Sequence, residues 1–156
     1  MLDTPIPSLP LSKVPDRYMA MADLMNRLVG ESTTMQVLAH SLPAADFYFE
    51  DFYAKLFYNG RSDTKVEVRL KQLLRLRLSK LHGCALCNRA NEEEVRGLGF
   101  TEPQIDTLFE NDPQRDLFSD AEMAVIDFTD QMVLDNQQGS LNPALYARMH
   151  RYFSDE

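Results

Sequence analysis

Leu70-Lys71-Gln72-Leu73-Leu74-Arg75-Leu76-Arg77-Leu78-Ser79-Lys80-Leu81-His82-Gly83-Cys84-Ala85-Leu86-Cys87 decides the fold. The leucines recur at helical spacing, so the segment reads as a helix with a wide apolar stripe. Val66, Leu70, Leu73, Leu74, Leu78 and Leu81 form the stripe, and Leu76 widens it. Asp63 or Thr64 is the expected start, and His82-Gly83 the break. The two cysteines then open the next helix, and they are the only cysteines in the chain. Their spacing sets both sulfurs on one face of a helical turn, close enough to join after a small adjustment. Free N–H groups and the helix dipole at that end favour thiolate over thiol. The simplest chemistry for such a pair is reversible two-electron thiol redox.

The pattern outward is helical throughout. Asp16 to Val29 carries Tyr18, Met21, Ala22, Met25 and Leu28 on one face, with Gly30 as the stop. A short helix is expected around Met35 to His40. Pro43 suits the first turn of a helix reaching Tyr58. Its aromatic side (Phe47, Tyr48, Phe52, Tyr53, Leu56, Phe57) reads as core or subunit interface. The cysteine helix ends near Gly97 or Gly99, and Thr101-Glu102-Pro103 begins a short one to about Glu110. Ser119 caps another, with Glu122 three residues on as a capping box, and this helix stops near Gly139. A last helix runs from about Pro143 to Phe153. Ser154-Asp155-Glu156 reads like the cap of a further helix, so the chain is expected to stop short of its natural C-terminus, or to end in a frayed tail. No segment shows period-two alternation, so the fold class is all-α, a bundle with short connections.

Pro5, Pro7, Pro10 and Pro15 make residues 1–15 an extended arm that packs over the body or reaches a partner. Residues 16–156 are expected to form a single helical domain, since the chain has 156 residues. No apolar run approaches a membrane span, and the first residues lack the pattern of a signal peptide. A cytoplasmic protein is expected, with its cysteines resting reduced. The net charge of −8 argues against nucleic acid and anionic membranes as partners. Lys65, Arg69, Lys71, Arg75, Arg77 and Lys80 crowd the segment before the cysteines. A series of acids follows them. The plain reading is a solvated face on each helix; the sharper one is that the basic and acidic surfaces face each other. Arg69, Arg75 and Arg77 are read as pairing with acids before any role in orienting an anionic substrate.

Leu70 to Ser79, Gly83-Cys84-Ala85-Leu86-Cys87 and Gly97-Leu98-Gly99-Phe100-Thr101-Glu102 together resemble the carboxymuconolactone decarboxylase-like family, in its alkylhydroperoxidase D-like branch. The resemblance covers about residues 56–108. It implies an all-helical thiol peroxidase or disulfide oxidoreductase that assembles as homo-trimers or hexamers. Its substrate would be a peroxide or disulfide, its reductant an external dithiol or protein, with no cofactor and no metal. In the active branch a glutamate lies twelve residues before the first cysteine and a histidine four after the second, forming a proton relay. Here those positions are Gln72 and Asn91, and Leu86 replaces a second histidine between the cysteines. Amides hold hydrogen bonds but exchange no proton near neutral pH.

Losing general acid–base help costs a factor of about 10² to 10⁴ in rate, so slow peroxide turnover is expected. Candidates to substitute are His82, whose plain reading is a residue stabilised at a helix C-terminus, and Glu67, whose plain reading is a surface carboxylate paired with Lys71. By family analogy Cys87 attacks the peroxide, while Cys84, at the helix start, meets the reductant. Two alternatives remain: a decarboxylase-like lyase, against which the retained cysteine pair counts, and a non-catalytic scaffold whose cysteines fill core. Structural zinc would need four ligands, and the histidines show no ligand spacing with the pair.

Overall fold

The computed structural model describes residues 7–58, 65–134 and 141–155. Among them every regular element is helical. Among the described residues no helix is long and apolar enough to cross a membrane. The chain divides into two compact units, Met1–Thr64 and Lys65–Glu156.

In the first unit, α1 spans Asp16–Val29, α2 Thr33–Leu38 and α3 Leu42–Asp46. Gly30, at φ 80°, closes α1 in the left-handed region that favours glycine. Val14, Tyr18, Ala22, Met35 and Ala45 form the core, with Met21, Met25 and Phe49 packed against it. Leu9 pairs with α2: its N–H donates to Gln36 O at 3.3 Å, and Gln36 Nε2 to Leu9 O at 2.8 Å. His40 Nε2 lies 2.6 Å from Pro7 O. From Phe47 to Phe57 the helix widens beyond the α form. Its end shows the i→i+5 pattern, with Tyr58 N–H on Tyr53 O at 2.8 Å. The wider turn rotates the aromatic row out of register with a core face. Phe57 is buried, whereas Phe47, Tyr48, Phe52 and Leu56 are exposed. The expected aromatic side is therefore mostly not core within this chain.

The second unit is built on α4, Val68–His82. It packs against α5 (Ala85–Gly97) and α7 (Asp120–Leu134). Glu102–Thr107 (α6) and Pro143–Met149 (α8) complete it. Leu73 and Leu76 meet Val95, Phe100, Ile105, Leu108, Phe118, Met123 and Ile126 in one core. The expected start of α4 at Asp63 or Thr64 lies outside the described residues, and Lys65–Glu67 are not helical. Leu70, Leu74, Leu78 and Leu81 are only half-buried and Val66 is exposed.

The helix ends follow their capping residues. Ser119 N–H donates to Glu122 Oε2 at 2.9 Å, and Glu122 N–H to Ser119 Oγ at 3.3 Å. Thr101 and Gln104 cap α6 in the same reciprocal way. The expected stop of α7 near Gly139 lies outside the described residues.

The basic row of α4 is not a solvated face. Arg77 is 1% exposed and chelates Asp130 through Nε (2.6 Å) and Nη2 (2.8 Å). It also donates to the carbonyls of Leu108 and Glu110 at 2.8 and 2.6 Å. Arg69 pairs with Glu122 at 3.0 Å, donates to Leu98 O and stacks 3.6 Å from the Phe100 ring centre. Lys80 pairs with Glu92 at 2.8 Å. Basic and acidic helices thus meet inside this unit, because long side chains bury their stems and bring the charge to a partner.

Candidate redox site

The site sits where α4 hands over to α5. Gly83, at φ 66°, takes a left-handed turn that most side chains resist. Its N–H reaches Lys80 O at 3.1 Å, and Cys84 N–H reaches Ser79 O at 3.2 Å, so the last carbonyls of α4 are capped. Cys84 is extended and is the N-cap of α5. Cys84 and Cys87 are joined in a disulfide, S–S 2.12 Å with Cα atoms 5.2 Å apart. Both residues are half-buried. Cys84 Sγ accepts the N–H of Cys87 at 3.2 Å. It occupies the place a serine or aspartate oxygen takes in an ordinary cap. On reduction that sulfur faces an orphan N–H and the positive end of a thirteen-residue helix, which favours its thiolate.

Behind the cysteines, α4 and α5 form a polar seam. Asn91 is 2% exposed, and its Nδ2 donates to Arg75 O at 3.2 Å and Ser79 Oγ at 3.3 Å. The Ser79 hydroxyl donates in turn to Leu76 O at 2.9 Å. Gln72, fully buried, accepts from Arg75 Nη1 at 3.3 Å. The two relay positions are thus linked through Arg75 and filled by amides: Asn91 ties α5 to α4, and Gln72 bonds Arg75 within α4. Two acceptors here have no partner: Asn88 Oδ1 and Asn91 Oδ1 are buried without a hydrogen bond.

The two substitute candidates stand at opposite ends of α4. His82 is its exposed last residue, two positions before Cys84. Glu67 occupies the N-cap position, with no capping hydrogen bond from its side chain. Fifteen residues at ~1.5 Å each put Glu67 about 22 Å along the axis from the cysteine end. It therefore cannot serve the sulfurs. Lys80, four residues before Cys84, is committed to Glu92; burial pushes its pKa down, opposed by that hydrogen bond. Ser79 and Arg75 escape sequence reasoning, because their roles depend on the antiparallel docking of α5. Asn88 and Asn91 carry a signal, lying one helical turn beyond Cys84 and Cys87. Among the described residues no group of three His, Cys, Asp or Glu side chains could hold a metal ion.

Comparison with known proteins finds no matching family, no matching curated protein and no matching solved structure.

Proposed function

We propose that the chain is a thiol-dependent redox protein in which Cys84 and Cys87 cycle between dithiol and disulfide, reducing a peroxide or disulfide substrate. The observation that carries this reading is the Cys84–Cys87 disulfide at the start of α5, with Cys84 Sγ bonded to the Cys87 N–H. In the peroxide case a thiolate attacks one peroxide oxygen. An S–O bond forms, the O–O bond breaks, and the departing oxygen takes a proton from solvent. The second thiol attacks the sulfenic sulfur, closes the disulfide and releases water. An external dithiol then returns two electrons and two protons by exchange. The N–H bond supports Cys84 as the sulfur that exchanges with that dithiol. With amides at both relay positions, peroxide turnover is slow.

The test is to oxidise the reduced protein with stoichiometric peroxide and count thiols. Two thiols per chain should disappear without intermolecular cross-linking and return with dithiothreitol, whereas Cys84→Ser and Cys87→Ser should fail to cycle. Thiols that stay inert until the protein is denatured would leave a helical scaffold as the answer. Lactone turnover untouched by both substitutions would point to a decarboxylase.

A further inference from the structure

Asn88 and Asn91 each present a buried carbonyl oxygen that no protein group donates to. For Asn91 the amide orientation is fixed, because Nδ2 faces the carbonyl of Arg75, which can only accept. Its Oδ1 therefore points away from that carbonyl. The helical register relates both amides to the sulfurs. Asn88 follows Cys84 by four residues, and Asn91 follows Cys87 by four. Asn88 N–H donates to Cys84 O at 2.8 Å, so the register holds through the cap. Each asparagine therefore stands one helical turn after one cysteine.

A disulfide has no hydrogen to give, whereas a thiol has one. We propose that Asn88 and Asn91 are acceptors for the two S–H groups of the reduced pair, and thereby shift the redox equilibrium toward the dithiol. This rests on the reading that the pair cycles. In the step concerned, an external dithiol attacks the disulfide and the S–S bond breaks. Two electrons and two protons pass to Cys84 and Cys87, and the external dithiol closes its own disulfide. The two orphaned oxygens gain donors only on the dithiol side. The weak S–H donor recovers part of what a buried, unpaired acceptor costs.

The experiment equilibrates wild type, Asn88→Leu and Asn91→Leu with mixtures of reduced and oxidised dithiothreitol at several pH values down to about 5, so that Cys84, whose thiolate the helix start favours, is also reached in its protonated form. Leucine keeps the branched shape and removes the acceptor. Each substitution is expected to make the disulfide about tenfold harder to reduce, which is ~30 mV for a two-electron couple. The S–H stretching band of the reduced protein should lie lower in wild type than in either variant. Asn91→Leu also removes bonds to α4; Asn88→Leu leaves that staple intact and decides the matter if Asn91→Leu does not fold. An unchanged equilibrium and unmoved S–H band in a folded Asn88→Leu protein would overturn the proposal while leaving the redox reading standing. A wild-type disulfide that no dithiothreitol ratio opens or closes would instead overturn the redox reading, and this proposal with it.

Discussion

Replacing Arg77 by methionine tests what holds the second unit together. The guanidinium is 1% exposed, forms two short bonds to Asp130 and donates to the carbonyls of Leu108, Glu110 and, at 3.4 Å, Asn111. Methionine approximates the stem but supplies none of these. Removing one partner of a buried pair costs about 3–5 kcal/mol, since the other charge is left behind. The Asp130 side chain is 24% exposed and regains some water, which places the charge term near ~3 kcal/mol. Leu108 O is buried and loses its donor, adding about 1 kcal/mol, whereas Glu110 and Asn111 are exposed and add little. The expected loss is about 4 kcal/mol.

Because the chain forms two compact units, the readout should belong to the second. Hydrogen exchange of α4 and α7 peptides by mass spectrometry serves this purpose. At ~1.4 kcal/mol per factor of ten, protection there should fall about a thousandfold. The paired change Arg77→Met with Asp130→Leu removes both charges and should restore part of the loss. A loss below about 1 kcal/mol, or a double variant no better than Arg77→Met alone, would refute the reasoning.

Two further outcomes follow from the geometry. Burial raises the pKa of Asp127, but hydrogen bonds from Arg115 and Arg148 and their charges outweigh it, so the folded value lies below the ordinary one. Its contribution is therefore complete above the unfolded value, near 3.9, and is lost as pH falls through the lower folded value. Urea titrations on the acid side should show wild type losing more stability than Asp127→Asn, and parallel curves would count against the assignment. Installing an acid–base pair on the α4–α5 seam, Gln72→Glu with Asn91→His, should raise hydroperoxide turnover by up to about 10². Arg75 stands ready to meet the new carboxylate. No gain in a folded double variant would contradict the positional mapping of the relay.

Much of the helical plan was legible because its boundaries are written in local chemistry. Gly30 and Gly83 stop helices through a backbone turn that only the identity of one residue decides. Ser119 with Glu122 announces the start of α7 in four residues. The disulfide, too, lies where the cysteine spacing put it. What could not be read depends on residues far apart in the chain. Arg77 reads as one more cation on a basic helix until Asp130, 53 positions later, is brought beside it. Gln72 and Asn91 read as deficient relay groups; only the docking of α5 on α4 shows Asn91 as a staple between them. The aromatic run from Phe47 reads as core or subunit interface, and the exposure of most of its side chains in this chain removes only the core half of that reading. The expected start of α4 at Asp63 or Thr64 lies outside the described residues, and the helix is formed from Val68.

The cross-link between Cys84 and Cys87 spans only three positions, within a single turn of chain. Loop-closure entropy for so small a ring is about 2 kcal/mol, against ~4.7 kcal/mol for a hundred-residue loop. The bundle around it is held by leucine packing and by the Arg77 and Arg69 clamps, none of which passes through sulfur. Opening the ring therefore leaves the architecture intact. A bond so placed is free to report the redox state of its surroundings without putting the protein's survival at stake.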